Sequence, residues 1–215
     1  GIRLLRDYPE VSTDIRTYDS NLYEGSTPIY TQEPYSYSQV LYPASVLGDI
    51  KTIHKISWFA DLGVNINSES DQWEIYLAQT DLNSLSSGGW IPHSEFTKVF
   101  HGDVKFLSKN FGFRDGYYHR QLRVELDSPF VRDPSKNLVI AVRENETGGN
   151  LGGTDFELRR LSNNDRRLVY GSDSPIVLPL PENTQESFSN NRSRVPWVIL
   201  EGVTDSGIIY SSSTE

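Results

Sequence analysis

The chemistry open to this chain is bounded first by what it lacks. It has no cysteine, so thiol nucleophiles, disulfides and thiolate-ligated metals are excluded. Its four histidines, His54, His93, His101 and His119, never fall at His-x-x-x-His spacing. A zinc site would need distant segments to converge, and ordinary hydrogen-bonded imidazoles are the simpler reading. Glycosidase chemistry needs two carboxyl groups about 5–9.5 Å apart across a cleft. Glu74 and Glu125 stand out because each lies on a predicted strand between apolar neighbours. Outward charges are, however, the normal pattern of an amphipathic strand. No Gly-x-Ser-x-Gly elbow anchors a Ser/His/Asp triad. The glycine-rich Gly148–Gly153 stretch lacks the Lys-Ser/Thr and the helix of a phosphate loop. Two acidic loops, 61–71 and 145–155, carry the oxygen ligands of a structural calcium but not the spacing of an EF-hand. A solvated acidic loop is the plainer reading. The expectation is a protein without a catalytic centre and with no cofactor beyond such a calcium.

Aromatic side chains are the stronger candidates. A flat indole or phenol offers a large, stiff surface to the apolar face of a sugar ring at little entropic cost. Trp58, Trp73 and Trp197 lie inside apolar strand patterns and are expected in the core. Trp90 differs, because it follows Ser86-Ser-Gly-Gly89 and precedes Pro92, which places it on a loop. Tyr117 and Tyr118 sit in the polar stretch Arg114–Arg120. Trp90, Tyr117 and Tyr118 are therefore the expected ligand platforms, with Arg166 and Arg167 as planar forks beside them. The competing reading is that these aromatics simply anchor loops.

The elements that must position these residues read almost wholly as strands. Tyr35–Tyr42 alternates with Tyr35, Tyr37, Gln39 and Leu41 on one face. Pro43–Gly48 allows one helical turn with Pro at its start and Gly at its end. Thr52–Ala60, Trp73–Gln79, Thr97–Val104 (bulged at Gly102), Gln121–Leu126 and Asn137–Val142 follow. Phe156–Arg160 and Arg167–Tyr170 are expected as a hairpin around Asn163-Asn-Asp165. The Pro- and Ser-rich 172–191 reads as a surface excursion, and Val195–Glu201 as a last strand interrupted by Pro196. About nine or ten strands result, and an all-β, jelly-roll-like antiparallel sandwich is the natural architecture. Residues 1–27 read as an irregular segment packed on or leading into a single domain over 28–215.

Composition agrees. Subtracting 29 acidic from 20 basic residues leaves a charge of −9, the wrong sign for a general nucleic-acid binder. No apolar run approaches the ~18 residues of a membrane span. The chain opens at Gly1 without a charged-then-apolar leader and reads as a module of a larger protein.

Several of these strands, taken in order, carry a resemblance. Pro28-Ile29, Tyr35-Ser-Tyr-Ser-Gln39, Val46-Leu-Gly48, Ile53–Phe59, Trp73–Leu77, Trp90-Ile-Pro92 and Pro129-Phe130 ahead of Asn137–Val142 resemble a β-sandwich module of large secreted proteins of Bacteroidetes-type bacteria. Such modules are similar in role to the cleaved adhesin domains of gingipain-type proteins. The resemblance covers about residues 28–142 and transfers no binding residue. It implies an exported, non-catalytic binding or adhesion module, secreted or at the cell surface. The loop aromatics make polysaccharide or a cell-surface glycan the expected ligand, held for attached domains of a larger protein. Two alternatives stay open: a structural or protein-adhesion module with a flat apolar patch, and a glycosidase-type hydrolase with paired acids in a groove.

Overall fold

The computed structural model describes residues 10–15, 23–25, 27–30, 32–61, 71–86, 89–114, 117–145, 156–160, 164–187 and 192–204. These form 13 strands: β1 (Val11–Ile15), β2 (Tyr23–Gly25), β3 (Tyr35–Tyr42), β4 (Thr52–Asp61), β5 (Gln72–Thr80), β6 (Thr97–Asp103), β7 (Phe106–Arg114), β8 (Tyr117–Val131), β9 (Asn137–Glu144), β10 (Phe156–Arg160), β11 (Arg167–Ser172), β12 (Arg194–Pro196) and β13 (Val198–Val203). The five-stranded sheet has the order β11-β3-β9-β5-β6. In the eight-stranded sheet β1, β13, β4, β8 and β7 are successive neighbours, and β10 joins β4 at the Phe156–Ala60 pair and carries β2 and β12. Every pairing is antiparallel. The chain crosses from β3 to β4 to β5, and again from β8 to β9 to β10, moving between sheets as in a jelly-roll sandwich.

Strand period explains the core. Val40 and Tyr42, Trp73, Ile75 and Leu77, and Leu138, Ile140 and Val142 share the inner face of the five-stranded sheet. They meet Ile56, Trp58 and Ala60, Leu122 and Val124, and Val198 and Leu200 from the other sheet. Trp58 and Trp73 touch edge to face at 5.8 Å, the arrangement that ring quadrupoles favour. Tyr42 donates its hydroxyl hydrogen to the Pro196 carbonyl at 3.0 Å, joining the sheets across the interior. Burial holds that phenol well above its ordinary pKa. The three core tryptophans expected from sequence are 0–1% exposed. Trp197 is buried on the other side of the eight-stranded sheet, stacked on Phe59 at 4.0 Å, with its Nε1 donating to Asp14 at 2.7 Å.

Four local expectations change. Val11–Ile15, read as irregular, is an edge strand along β13, and Ile15 enters the core. Its pairing partner lies at the far end of the chain, so no local pattern announces it. The bulge in β6 falls at Val99, not Gly102, because Ile75 pairs with Phe100 and Tyr76 with Lys98. β10 and β11 form no hairpin, since they belong to different sheets. Strands outnumber the nine or ten expected, β1, β2 and β12 being short pieces with polar neighbours. The helical turn is present at Ala44–Val46, with Gly48 left-handed at φ 58.

Gly202 is the tightest backbone approach in the eight-stranded sheet. A Cβ there would lie 1.9 Å from the Thr52 carbonyl oxygen, where β13 shifts register against β4. Gly202→Ala should therefore lower stability by about 2–4 kcal/mol, while Ser12→Ala at the exposed position of β1 should stay within about 0.5 kcal/mol. Urea unfolding of the two variants checks this.

Candidate ligand cleft

All eight residues of β3 are buried. Alternation can hide only one face inside a sandwich, so the outer face of the five-stranded sheet must be covered as well. Tyr35, Tyr37, Gln39 and Leu41 of β3 face outward with Tyr76 and Ala78 of β5, Val139 and Ala141 of β9, and Leu168 of β11. Two loop segments cover them. Residues 81–96 bring Leu85 and Ile91 onto Leu41, Ala78, Val139 and Leu168. Residues 173–187 bring Ile176, with Leu178 and Leu180, onto Tyr35, Tyr37, Tyr76 and Ala141. Trp90 and Phe96 touch both patches.

Loops laid on an apolar face must satisfy their own peptide groups, and side chains from the sheet do this. Gln39 grips Ile91 from both sides, its Nε2 donating to the Ile91 carbonyl at 2.9 Å and its Oε1 accepting from the Ile91 N–H at 2.8 Å. The same Nε2 lies 3.0 Å from the Tyr37 hydroxyl, to which it donates. Arg143 donates to the Ile176 carbonyl at 3.0 Å, and the Ile176 N–H donates to Asn145 Oδ1 at 2.7 Å. Trp90 Nε1 donates to the Thr184 carbonyl at 2.8 Å, tying one covering segment to the other.

Where the two segments part, a cleft of about 720 Å³ opens, within the range of small-molecule sites. Tyr37 and Gln39 form its floor, residues 90–94 one wall and residues 178–183 the other. The Trp90 and Tyr37 rings lie 5.6 Å apart, tilted by 32°. The second wall ends in a turn closed by Thr184 N–H donating to the Pro181 carbonyl at 3.2 Å, with Asn183 left-handed at φ 64. Asn tolerates that conformation, and the turn presents an exposed Glu182 to the cleft. Burial is the main cause that pushes the Tyr37 phenol up to about 12, against smaller opposing effects of Gln39 and Arg143. It therefore stays protonated.

A charged cluster flanks the cleft. Glu74 accepts from Lys98 at 2.8 Å and from Tyr76 at 2.5 Å, and pairs with Arg143. Burial pushes its carboxyl up, but the Lys98 and Tyr76 hydrogen bonds and the Arg143 and Lys98 charges outweigh that and hold it below the ordinary value. His93 sets its ring edge-on to Tyr76 at 5.0 Å. Burial, then Arg143, lowers its pKa, and Glu74 opposes them. The imidazole is thus uncharged at neutral pH.

Of the residues expected to bind, Trp90 lines the cleft. Tyr117 and Tyr118 begin β8, in the opposite sheet, rather than a polar loop; their side chains lie outside the described residues. Asp115-Gly116, a strong hairpin dipeptide, was the overlooked signal that this stretch is strand. Arg166 and Arg167 are 5% and 1% exposed and are not presented as forks. Arg167 donates to Thr27 Oγ1 at 3.2 Å in the interior. Burial, with Arg194 second, lowers its pKa to about 10. Glu74 and Glu125 lie in different sheets. Of the two suggested calcium loops, residues 62–70 and 146–155 lie outside the described residues, and Asn145 is engaged with Ile176. Among the described residues no group of three or more His, Asp or Glu gathers as a metal site. Gln39, His93 and Glu182 were missed, and Tyr37, which with Tyr35 could have formed an exposed stripe, was set aside because one face of its strand must be buried. Only the Tyr-Ser-Tyr-Ser-Gln alternation of β3 hinted at a second apolar face.

No protein-family model and no curated protein matches the chain. Among solved structures it is similar to a clostridial cysteine protease after propeptide cleavage, at 11% identity and a TM-score of 0.42. The match covers 87% of this chain and 41% of that one, so the chain spans less than half of the protease's length. A likeness of this degree assigns neither fold nor activity.

Glu74 yields a pH prediction. A carboxyl held below its unfolded pKa contributes stability above the ordinary Glu range and loses it as pH falls through the folded value. Glu74→Gln should cost about 1–2 kcal/mol at neutral pH. The gap from the parent should narrow below the carboxylate range, as followed by thermal unfolding across pH.

Proposed function

We propose that this protein is a non-catalytic, extracellular or cell-surface binding module whose cleft holds a carbohydrate for attached domains. The observation that carries this reading is Trp90 set in the wall of a concave cleft whose other lining residues include Tyr37, Ser94, His93, Glu182 and Asn183. Apolar walls from Pro92, Leu178, Pro179, Leu180 and Pro181 suit the C–H faces of sugars. The hydroxyl, imidazole, amide and carboxylate groups at the same cleft suit their hydroxyls. Among the described residues Glu182 is the single carboxylate lining the cleft, which favours holding a glycan over the paired-acid chemistry of hydrolysis. The resemblance to secreted surface modules supports the location and the dependence on a larger protein. Tethering to that protein would raise a weak intrinsic affinity.

The protein-adhesion alternative is less well supported. Among the described residues the exposed large apolar side chains are Leu82, Leu107, Val131 and Val177, four residues from which a flat apolar patch would have to be built.

A glycan array followed by titration tests the proposal. Trp90→Ala should weaken the best ligand about tenfold. Trp90→Phe keeps a ring while losing the Thr184 hydrogen bond, and should retain part of the affinity. Folded parent protein that binds no polysaccharide, or a Trp90→Ala variant that keeps both fold and full affinity, would reject this reading.

A further inference from the structure

The charges around the cleft are unequally committed. Glu182 is exposed on its turn, and no cation among the described residues pairs with it. The basic groups that act on His93 are occupied. Lys98 and Arg143 both bind Glu74, and Arg143 also holds the Ile176 carbonyl. His93 carries no charge at neutral pH. Backbone amides, the other common anion ligands, are depleted as well, because Pro92, Pro179 and Pro181 in the two walls have no N–H. The chain's net charge of −9 adds a repulsive field for any approaching anion.

Resting on the reading of the cleft as a glycan site, we infer that it prefers sugars bearing a protonated amine over neutral ones and rejects sugars bearing a carboxylate. Glu182 supplies the counter-charge and Trp90 the stacking surface. A carboxylated sugar would meet Glu182 with no free cation in the lining to offset it. The charge effect should be modest, because Glu182 faces solvent.

The test is calorimetric titration of the whole chain with four soluble oligosaccharides of equal length, built from glucosamine, N-acetylglucosamine, glucose and galacturonic acid. Buffer close to neutral pH leaves the amines substantially protonated, the carboxylates ionised and His93 uncharged. At low salt the glucosamine oligomer should bind roughly fivefold tighter than the neutral ones, the scale of one exposed charge pair. The galacturonic acid oligomer should bind at least about fivefold more weakly than them. Glu182→Gln, on an exposed turn, should abolish the amine preference, so that the glucosamine and neutral oligomers bind the variant alike, and added salt should erode the same preference in the parent. Neutral and amine-bearing sugars binding equally well, or the acidic oligomer binding as tightly, would overturn this inference and leave the glycan reading standing. Silence from all four sugars would overturn both. Oligolysine binding more tightly than the glucosamine oligomer would identify a basic peptide as the occupant and overturn the inference.

Discussion

The structure depends on covering a sheet that is apolar on both sides. In β3 every side chain is buried, and so are six of the nine residues of β5 and seven of the eight of β9. A two-layer sandwich hides one face of each sheet. The other face of this one carries Tyr37, Leu41, Tyr76, Ala78, Val139 and Ala141. Left in water, that surface would be a large apolar patch of the kind that drives aggregation. Loops 81–96 and 173–187 become a third layer in response, and the cleft is the seam where these two covers meet.

Loops make poor covers unless their peptide groups find partners, because an unmet buried donor or acceptor costs about 1–3 kcal/mol. Polar side chains within the apolar face meet that need. Gln39 is buried, yet its amide closes two bonds to Ile91 and one to Tyr37. Arg143 and Asn145 take up both peptide groups of Ile176. The opposite sheet is managed differently. Its outer face is partly wet, with Lys55, Arg123 and Glu201 in exposed or half-buried pairs. Alternation leaves that part of the outer face to water, while Phe59 and Trp197 bury a separate apolar spot on the same side.

Much of the architecture was legible in the chain. Period-two patterning placed β3, β4, β5, β8 and β9 and assigned Trp58 and Trp73 to the interior, because such strands carry their own burial code. What failed was non-local. β1 is a strand only because β13 lies beside it, and β10 and β11 pair with different sheets although six residues separate them. Of the candidate cleft, one lining residue was legible. Trp90, after two glycines and before a proline, advertised a loop aromatic. Arg166 and Arg167 showed only charge, and nothing in a pair of adjacent arginines reveals that Thr27 waits for one of them in the interior. The floor residues Tyr37 and Gln39 were hidden by a correct premise, that a strand must bury one face. The second face was buried as well.

The Gln39 clamp separates two jobs within one molecule. The hydrophobic interior between the sheets is built without the residues that shape the seam, while the seam's walls hang on a few side chains and two loops. Changes of wall length or composition can therefore accumulate without unpicking the strands beneath. Descendants of such a chain would be expected to diverge in what they hold long before they diverge in shape.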